Sequence, residues 1–476
     1  MLAPRSSFLW HRILQHGQLQ LLRDQWNELC QQVPCLSSPA DLMAFEQRLH
    51  CLTQQMHALL MAQTVQAAID SPQLRQATRL LLRSYPRHLK NQGPRPVSIH
   101  FAHGPAVVVW LPYYCRGRTH SGRRSKGCYP TLLLLGIYDH CSPSLVSDLA
   151  ELAALLGSFR EAQTLLRQRG IALSVNTLRT ITYQYAQRVR AAQKAKKRFT
   201  PDNLQGKVVV ISTDGGRLRI RKDRKARTPK GRKRYSTHWR EPKVLLIYTV
   251  ECKDGQVRLD RSFAPVLDGL LQGPTALFDL LRYYLTQLQV DQASRVLVVA
   301  DGAKWIWKRV GGLLRSLKVA ADKVEELVDF YHAVEHLGKA ADAAKCFDAR
   351  QKKKWLKKQS ERLRTGNVKQ VVEELEKLAA KQGSKELQTE VGYFVRHGRE
   401  HKRMEYARMK ELGLPLGSGA MESAVRRVVN LRLKGAGIFW HKKSAEAMLL
   451  LRAFVKAGRT QDLANLAFAS DFQEAA

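Results

Sequence analysis

Between residues 206 and 332, three short apolar runs each end in or beside an aspartate: KVVVISTD at Asp214, RVLVVADGA at Asp301 and EELVDFYH at Asp329. Runs this short and this rich in Val and Leu read as strands rather than helices. KVLLIYTVECKDGQVRLDRSFAPV reads as two more strands, turning at Lys253-Asp254-Gly255. A helix from Pro274 to about Leu288 and a helical WIWKRVGGLLRSL complete the order β-β-β-α-β-α-β. That order folds as a mixed sheet with flanking helices. Neighbouring buried strands bring their ends to one sheet edge, so the three carboxylates are expected to converge there.

The flanking sequence is mostly helical. Apolar residues recur at three- and four-residue steps through 1–84, and YPRHLKNQGPRPV (85–97) reads as a linker. VSIHFA and AVVVWLPYY form a short strand pair, followed by a Gly/Arg-rich loop. From 142, three helices follow, the first capped by Ser142 or Ser144. The second and third, at about 158–190, have a helix-turn-helix layout. Ala162, Leu165 and Leu166 face inward, Gly170 makes the turn, and Ser174 caps the third helix. Asn176, Thr177, Arg179 and Thr180 are then outside near the helix start, where a recognition helix meets base edges. An ordinary helical hairpin has the same pattern. A Lys-rich helical stretch, 333–411, precedes Gly417-Ser418-Gly419 and a last helix bearing Glu422.

Charge narrows the partner. Lys and Arg number 79 against 41 Asp and Glu, a net charge of +38, while 44% hydrophobic residues suffice for real cores. A chain this basic is expected to bind a polyanion, with double-stranded DNA the first candidate and a merely basic surface the alternative. No apolar run reaches the ~18 residues of a membrane span, and the start lacks a secretory pattern, so neither membrane association nor export is expected. Eight cysteines without a CxxC pair read as reduced thiols of a cytoplasmic, nucleoid-associated protein. The segment 216–243 holds 13 Lys/Arg, among them Arg217, Lys230, Arg232, Lys233 and Arg234, against only Asp223 and Glu241. It reads as a mobile loop that grips phosphates beside Asp214. Trp239, Trp305 and Trp307 are candidates to stack on bases, with one of the last two in the core. Arg426 and Lys434, following Glu422, add further phosphate contacts.

Acids within so basic a chain are hard to explain as DNA contacts, because they repel phosphate unless a cation lies between. Carboxylates are the ligands of Mg²⁺, and a two-metal site stabilises both oxygens of a phosphodiester displacement. Each acid also has a plainer reading alone. Asp-Gly after a strand is a common turn, and Glu at a helix start is favoured by the helix dipole. HAVEH (332–336) fits H-x-x-E-H, in which His332 and His336 share a helix face and could hold zinc in a peptidase. Cys115, His120, Cys128, His140 and Cys141 lie near each other but do not make a zinc knuckle, so zinc is not expected.

ISTDGGR (211–217), VLVVADGAKWIW (296–307), DFYHAVEHL (329–337) and GLPLGSGAMESAVRRVVNLRLKGAGIFW (413–440) together resemble the ISKra-type bacterial insertion-sequence transposases, relatives of the Mutator-like DDE group. The resemblance covers roughly 140–460, and the last block is its most specific part. It implies an RNase H-like catalytic domain, interrupted by an all-α insertion, with Asp214, Asp301 and Glu422 as the D-D-E triad. It further implies Mg²⁺, replaceable by Mn²⁺, held by these three and Asp329, with His332 of the Asp329-x-x-His332 pair assisting the site. The activity implied is DNA cleavage and strand transfer in transposition, by a homodimer or higher oligomer that synapses two element ends. A domesticated DNA-binding relative and an RNase H-like nuclease are the alternatives.

The expected organisation is multidomain α+β. Residues 1–97 are a helical region and linker, and 98–200 a DNA-binding region. Residues 201–332 plus 412–457 are the catalytic domain, 333–411 its helical insertion, and 458–476 a C-terminal tail.

Overall fold

Two kinds of strand occur in this chain, and the difference decides where chemistry can be housed. A computed structural model describes residues 4–85, 88–116, 127–227, 229, 231 and 233–469. It is mixed α+β, 57% helical, and divides into two compact units, Met1–Ala192 with Ala464–Ala476, and Gln193–Leu463.

The first unit opens with α1 (Pro4–Gln31), α2 (Pro39–Asp70) and α3 (Pro72–Ser84). Ser38 and Ser71 cap α2 and α3 through their hydroxyls, each followed by a proline whose missing N–H costs nothing at that position. The antiparallel pair β1 (Lys90–Ile99) and β2 (Val107–Cys115) buries Val97, Ile99, Val109 and Leu111 against Ala58, Ala62 and Ile69 of α2. The linker expected at 85–97 is therefore largely strand. Pro94 and Pro96 are tolerated because the sheet has only two strands, and a bulge between Asn91 and Pro94 absorbs the irregularity. Residues 1–97 and 98–192 consequently belong to one unit rather than two regions. Four helices follow: α4 (Pro130–Leu134), α5 (Pro143–Leu155), α6 (Phe159–Gln168) and α7 (Val175–Lys194). Ser142, not Ser144, caps α5.

The second unit contains β3 (Val208–Gly215), β4 (Leu218–Arg227), β5 (Lys233–Arg240), β6 (Lys243–Lys253), β7 (Gln256–Leu259), β8 (Val266–Leu270), α8 (Pro274–Gln287), β9 (Arg295–Ala300), α9 (Lys304–Ser316) and β10 (Val324–Val328). The main sheet runs β10-β9-β3-β6-β7, with β8 also paired to β6. β3, β9 and β10 are parallel, whereas β6 is antiparallel to β3, β7 and β8. The central strands are buried on both faces, which is why they read as unbroken apolar runs.

Three sequence expectations change here. The basic loop at 216–243 is an antiparallel hairpin, β4–β5, in which Leu218 and Ile220 are buried at the base and everything from Lys222 to Arg227 is exposed. The backbone of Trp440 pairs with that base through Arg219 and Arg221. The last β-run ends at Val328, because the Asp329 side chain accepts the His332 N–H and starts a helix. The C-terminal tail contains α18 (Thr460–Phe468), whose Leu463, Leu466 and Ala467 are buried.

After β10 comes the helical insertion: α10 (Phe330–Ala344), α11 (Ala349–Arg364), α12 (Val368–Gln382), α13 (Lys385–Phe394), a π-helical turn at Val395–Glu400, and α14 (Tyr406–Glu411). The chain returns through α15 (Gly419–Val425), a second π-helical turn at Arg426–Asn430, α16 (Leu431–Leu433) and α17 (Lys442–Lys456), which precedes α18. A π-turn leaves helix carbonyls misaligned, and the buried Arg452 donates to those of Arg427 and Val428.

Candidate active site

Strand register sets out the site. Ser212 pairs with Val299, so two residues further on Asp214 faces Asp301; Val328 pairs with Ala300, so one residue further Asp329 faces Asp301. The three aspartates thus end three adjacent parallel strands in one row, where α/β sheets take their ligands. Asp214 Oδ1 accepts the Gly215 N–H at 2.6 Å, and Asp301 Oδ1 accepts the Ala303 N–H at 3.0 Å. The second oxygen of each has no hydrogen bond among the described residues. Burial raises the Asp214 carboxyl above the usual aspartate range, and the nearby charges of Asp301 and Glu241 push it the same way. The Gly215 N–H and His332 oppose that shift. Two neighbouring carboxylates, each with a free oxygen, are a hard donor set that fits Mg²⁺ or Mn²⁺.

Asp329 is occupied differently. One oxygen accepts the His332 N–H at 2.8 Å and the other the Ser418 N–H, so it ties the end of β10 to the loop before α15. At the other end of that helix, Val425 and Val429 pack over Gly216, two residues past Asp214. From Ser418 to Val425 a helix advances roughly 10.5 Å, and two strand spacings from β10 to β3 span about 9.6 Å. α15 therefore bridges the row of strand ends, anchored on Asp329 and beside Asp214. Glu422, between the anchors, flanks the face that Val425 buries; it is exposed and forms no ion pair among the described residues.

The insertion supplies the floor. The Tyr393 ring of α13 lies so close beneath Gly302 that any Cβ there would overlap it, which explains the glycine after Asp301. The Tyr393 hydroxyl is buried without a hydrogen-bond partner among the described residues, and burial together with Asp301 and Asp329 raises its pKa far above the usual tyrosine value. Its ring stacks on His336 at 3.8 Å, while His336 Nδ1 lies 2.5 Å from Glu390 Oε2. His332 and His336 share one face of α10 with ring centroids 5.0 Å apart, as H-x-x-E-H requires, but the Nδ1 of His336 faces Glu390. Behind Tyr393, the first π-turn holds His397 buried against Trp307. Its pKa is pushed down to about 4 by burial and then by Arg403 and Arg396.

Of the other expected contacts, Arg217, Lys233, Arg234, Arg426 and Lys434 are exposed, and Lys230 and Arg232 lie outside the described residues, as does His120. Trp307 is buried and donates its Nε1 hydrogen to the Asp301 carbonyl; Trp305 is half-buried under Lys243 Nζ at 4.5 Å. Trp239 stands exposed on β5 beside Arg219. In the first unit, Asn176, Thr177, Arg179 and Thr180 all face solvent on α7, and Leu178, Ile181 and Tyr185 are buried behind them. Ser174 accepts the Thr177 N–H, and Gly170 turns the chain at φ +81°. Leu165, expected inside, is 36% exposed; Phe159 takes the inner position and meets Tyr183 edge-on.

Sequence reasoning passed over Glu241 and Tyr393. Glu241 Oε1 lies 2.6 Å from Lys243 Nζ and within reach of the Asp214 charge. Its signal was available, as one of two acids in a run of 13 Lys/Arg. Tyr393 lies 91 residues beyond Gly302 and leaves no local trace. No protein-family model, no curated protein and no solved structure matches the chain.

Proposed function

We propose that the chain is a DDE transposase of a bacterial insertion sequence, cutting and joining DNA at the row of strand ends. The observation that carries this reading is the in-register row Asp214, Asp301, Asp329, with the start of α15 tied to Asp329 and its far end packed over Gly216. Sheet order supports an RNase H-like fold: counting β3, β6, β8, β9 and β10 as one to five, the strands lie 3-2-1-4-5 with only the second antiparallel to the first among the central three. The net charge of +38 and the exposed helix start at Asn176–Thr180 support DNA as the partner.

In this reading Asp214, Asp301 and Glu422 hold Mg²⁺ or Mn²⁺, which when bound provides Lewis acidity towards phosphodiester oxygens. The protein orients the carboxylates beforehand: Gly215 and Ala303 amides each fix one oxygen and leave the other directed to the ligand. Asp329 acts through position, locking α15 over the row, and His332 opposes the upward shift of the Asp214 carboxyl. Arg217 and Arg426 flank the acids and hold the phosphates on either side. Cutting a strand and joining its 3′ end are both in-line displacements, so one site serves both steps. Two element ends must be held together, so the working form is at least a dimer, on the DNA of the bacterial cytoplasm.

The test supplies duplex DNA carrying a candidate element end, with Mg²⁺ or EDTA. Cleavage followed by joining, lost in Asp301→Asn, supports transposition. Cleavage without joining points to a nuclease, and binding without either to a domesticated relative. Metal-dependent proteolysis lost in His336→Ala would overturn the reading.

A further inference from the structure

Within the insertion, α11 differs sharply from the helix beside it. Its 16 residues contain eight Lys/Arg and one acid, Glu361, whereas α12 balances Lys369, Lys377 and Lys381 with Glu373, Glu374 and Glu376. Trp355, Gln359 and Leu363 are buried at four-residue steps, which fixes the inner face. Arg350, Lys353, Lys354, Lys357 and Lys358 are exposed on the opposite face. Lys352 pairs with Asp342, but none of these five forms an ion pair among the described residues. Lys353 with Lys357, and Lys354 with Lys358, are like charges one turn apart, which disfavours the helix. Such a face is not arranged for the stability of the helix itself.

Its position gives the face a use. Arg364, at the end of α11, lies 5.0 Å over the ring of Phe330, the residue after Asp329. The helix thus begins its course beside the acid row and runs back from Arg364 to Arg350 over roughly 21 Å. A duplex of that length has about six base pairs and presents about twelve phosphate charges.

We propose that the outer face of α11 is a rail for the phosphates of duplex DNA on the β10 side of the acid row. This rests on the reading of the chain as a DNA-processing enzyme and adds the direction in which the duplex leaves. The contact is to phosphate, so it is independent of sequence and sensitive to salt. It is separate from the β4–β5 hairpin, which follows β3.

The experiment uses the full chain carrying Asp301→Asn, so that binding is read without cutting, and a fluorescent duplex of about 40 base pairs titrated across a salt series. Replacing Lys353, Lys354, Lys357 and Lys358 by Gln is expected to flatten the slope of log Kd against log salt by about 3–4. At 100 mM salt, affinity is expected to fall at least tenfold. Replacing Lys369, Lys377, Lys381 and Lys385 by Gln removes the same charge from the neighbouring helices and should change the slope by less than about 1. Thermal unfolding of both variants confirms that they are folded. Equal losses in the two variants, or no loss in the first, overturn the rail. So does a first variant that loses binding to phosphatidylserine vesicles yet holds DNA normally, which would assign the face to a membrane. Failure of the unmutated chain to cut DNA with Mg²⁺ while the α11 effect persists would reject the transposase reading and leave the rail intact.

Discussion

The same dipeptide, Asp-Gly, ends β3, stands inside β8 and follows β9, with quite different outcomes. In β8, Asp268 is fully buried. Its Oδ1 accepts the Gly269 N–H at 2.7 Å, and its Oδ2 the Tyr284 hydroxyl at 2.7 Å and the Gln193 amide at 3.1 Å. Glu325 in β10 is also buried, held by Arg295 at 2.9 Å and Arg408 at 2.6 Å. At the ends of β3 and β9, Asp214 and Asp301 are only half-buried, and each keeps an oxygen unmatched among the described residues. Burial of an acid therefore does not mark a reactive site in this protein. What sets Asp214 and Asp301 apart is hydrogen-bonding capacity left unfilled among the described residues, next to a like charge.

The largest effect that would sharpen this contrast is on rate. Asp301→Asn should reduce Mg²⁺-dependent DNA cleavage by on the order of 10³-fold with no loss of thermal stability, because only a ligand oxygen is removed. Asp268→Ala should do the reverse. It leaves Tyr284 and Gln193 without their buried acceptor and should cost about 3 kcal/mol in urea unfolding, with cleavage per folded molecule unchanged. A thousandfold loss of cleavage in the folded Asp268 variant would erase the distinction between the two regions.

A third comparison concerns the glycines. Gly302→Ala forces a methyl group onto Tyr393 and should destabilise by about 1–3 kcal/mol. Gly302→Ala combined with Tyr393→Leu should recover much of that loss, and additive losses instead would show that the ring is not the cause. His397, behind Tyr393, supplies a pH signature of its own. Its pKa is lowered in the fold, so it contributes stability above pH 6.5 that is lost as pH falls towards about 4. His397→Phe should flatten the acid side of the stability profile in that window. The smallest effect belongs to Asp214, whose folded pKa is raised, so its contribution becomes unfavourable as pH rises above the usual aspartate value. Asp214→Asn should slightly raise the Tm at pH 7 without metal. If Mg²⁺ binds as proposed, Asp214→Asn should also abolish the stabilisation it brings, expected to be about 1.4 kcal/mol at ten times Kd in the unmutated chain.

The central sheet was legible in the sequence because β3, β6 and β9 are buried on both faces and leave continuous apolar runs. The helices were legible from their caps and spacing. β8 was not, since Asp268 and Gly269 interrupt VLDGL and their partners come from α7 and α8. The β4–β5 hairpin was hidden for the opposite reason: beyond Ile220 both faces are exposed, so no alternation appears. At the candidate site, strand-end register made Asp214 and Asp301 readable, whereas Glu422 is proposed only through a resemblance. Local sequence gave no hint that Asp329 fastens α15, since its second partner, the Ser418 amide, lies 89 residues further along.

That fastening also bears on the order in which the protein is made. Asp214 emerges from the ribosome 87 residues before Asp301, and Glu422 on the crossing helix is encoded a further 121 residues on. At about 5–20 residues per second, that is a delay of roughly 6–24 s, during which the helices between have time to form. A chain interrupted anywhere in this interval carries both strand ends and the basic β4–β5 hairpin, yet lacks the helix that Asp329 fastens. On the function proposed above, such a chain would bind DNA before it is able to cut it.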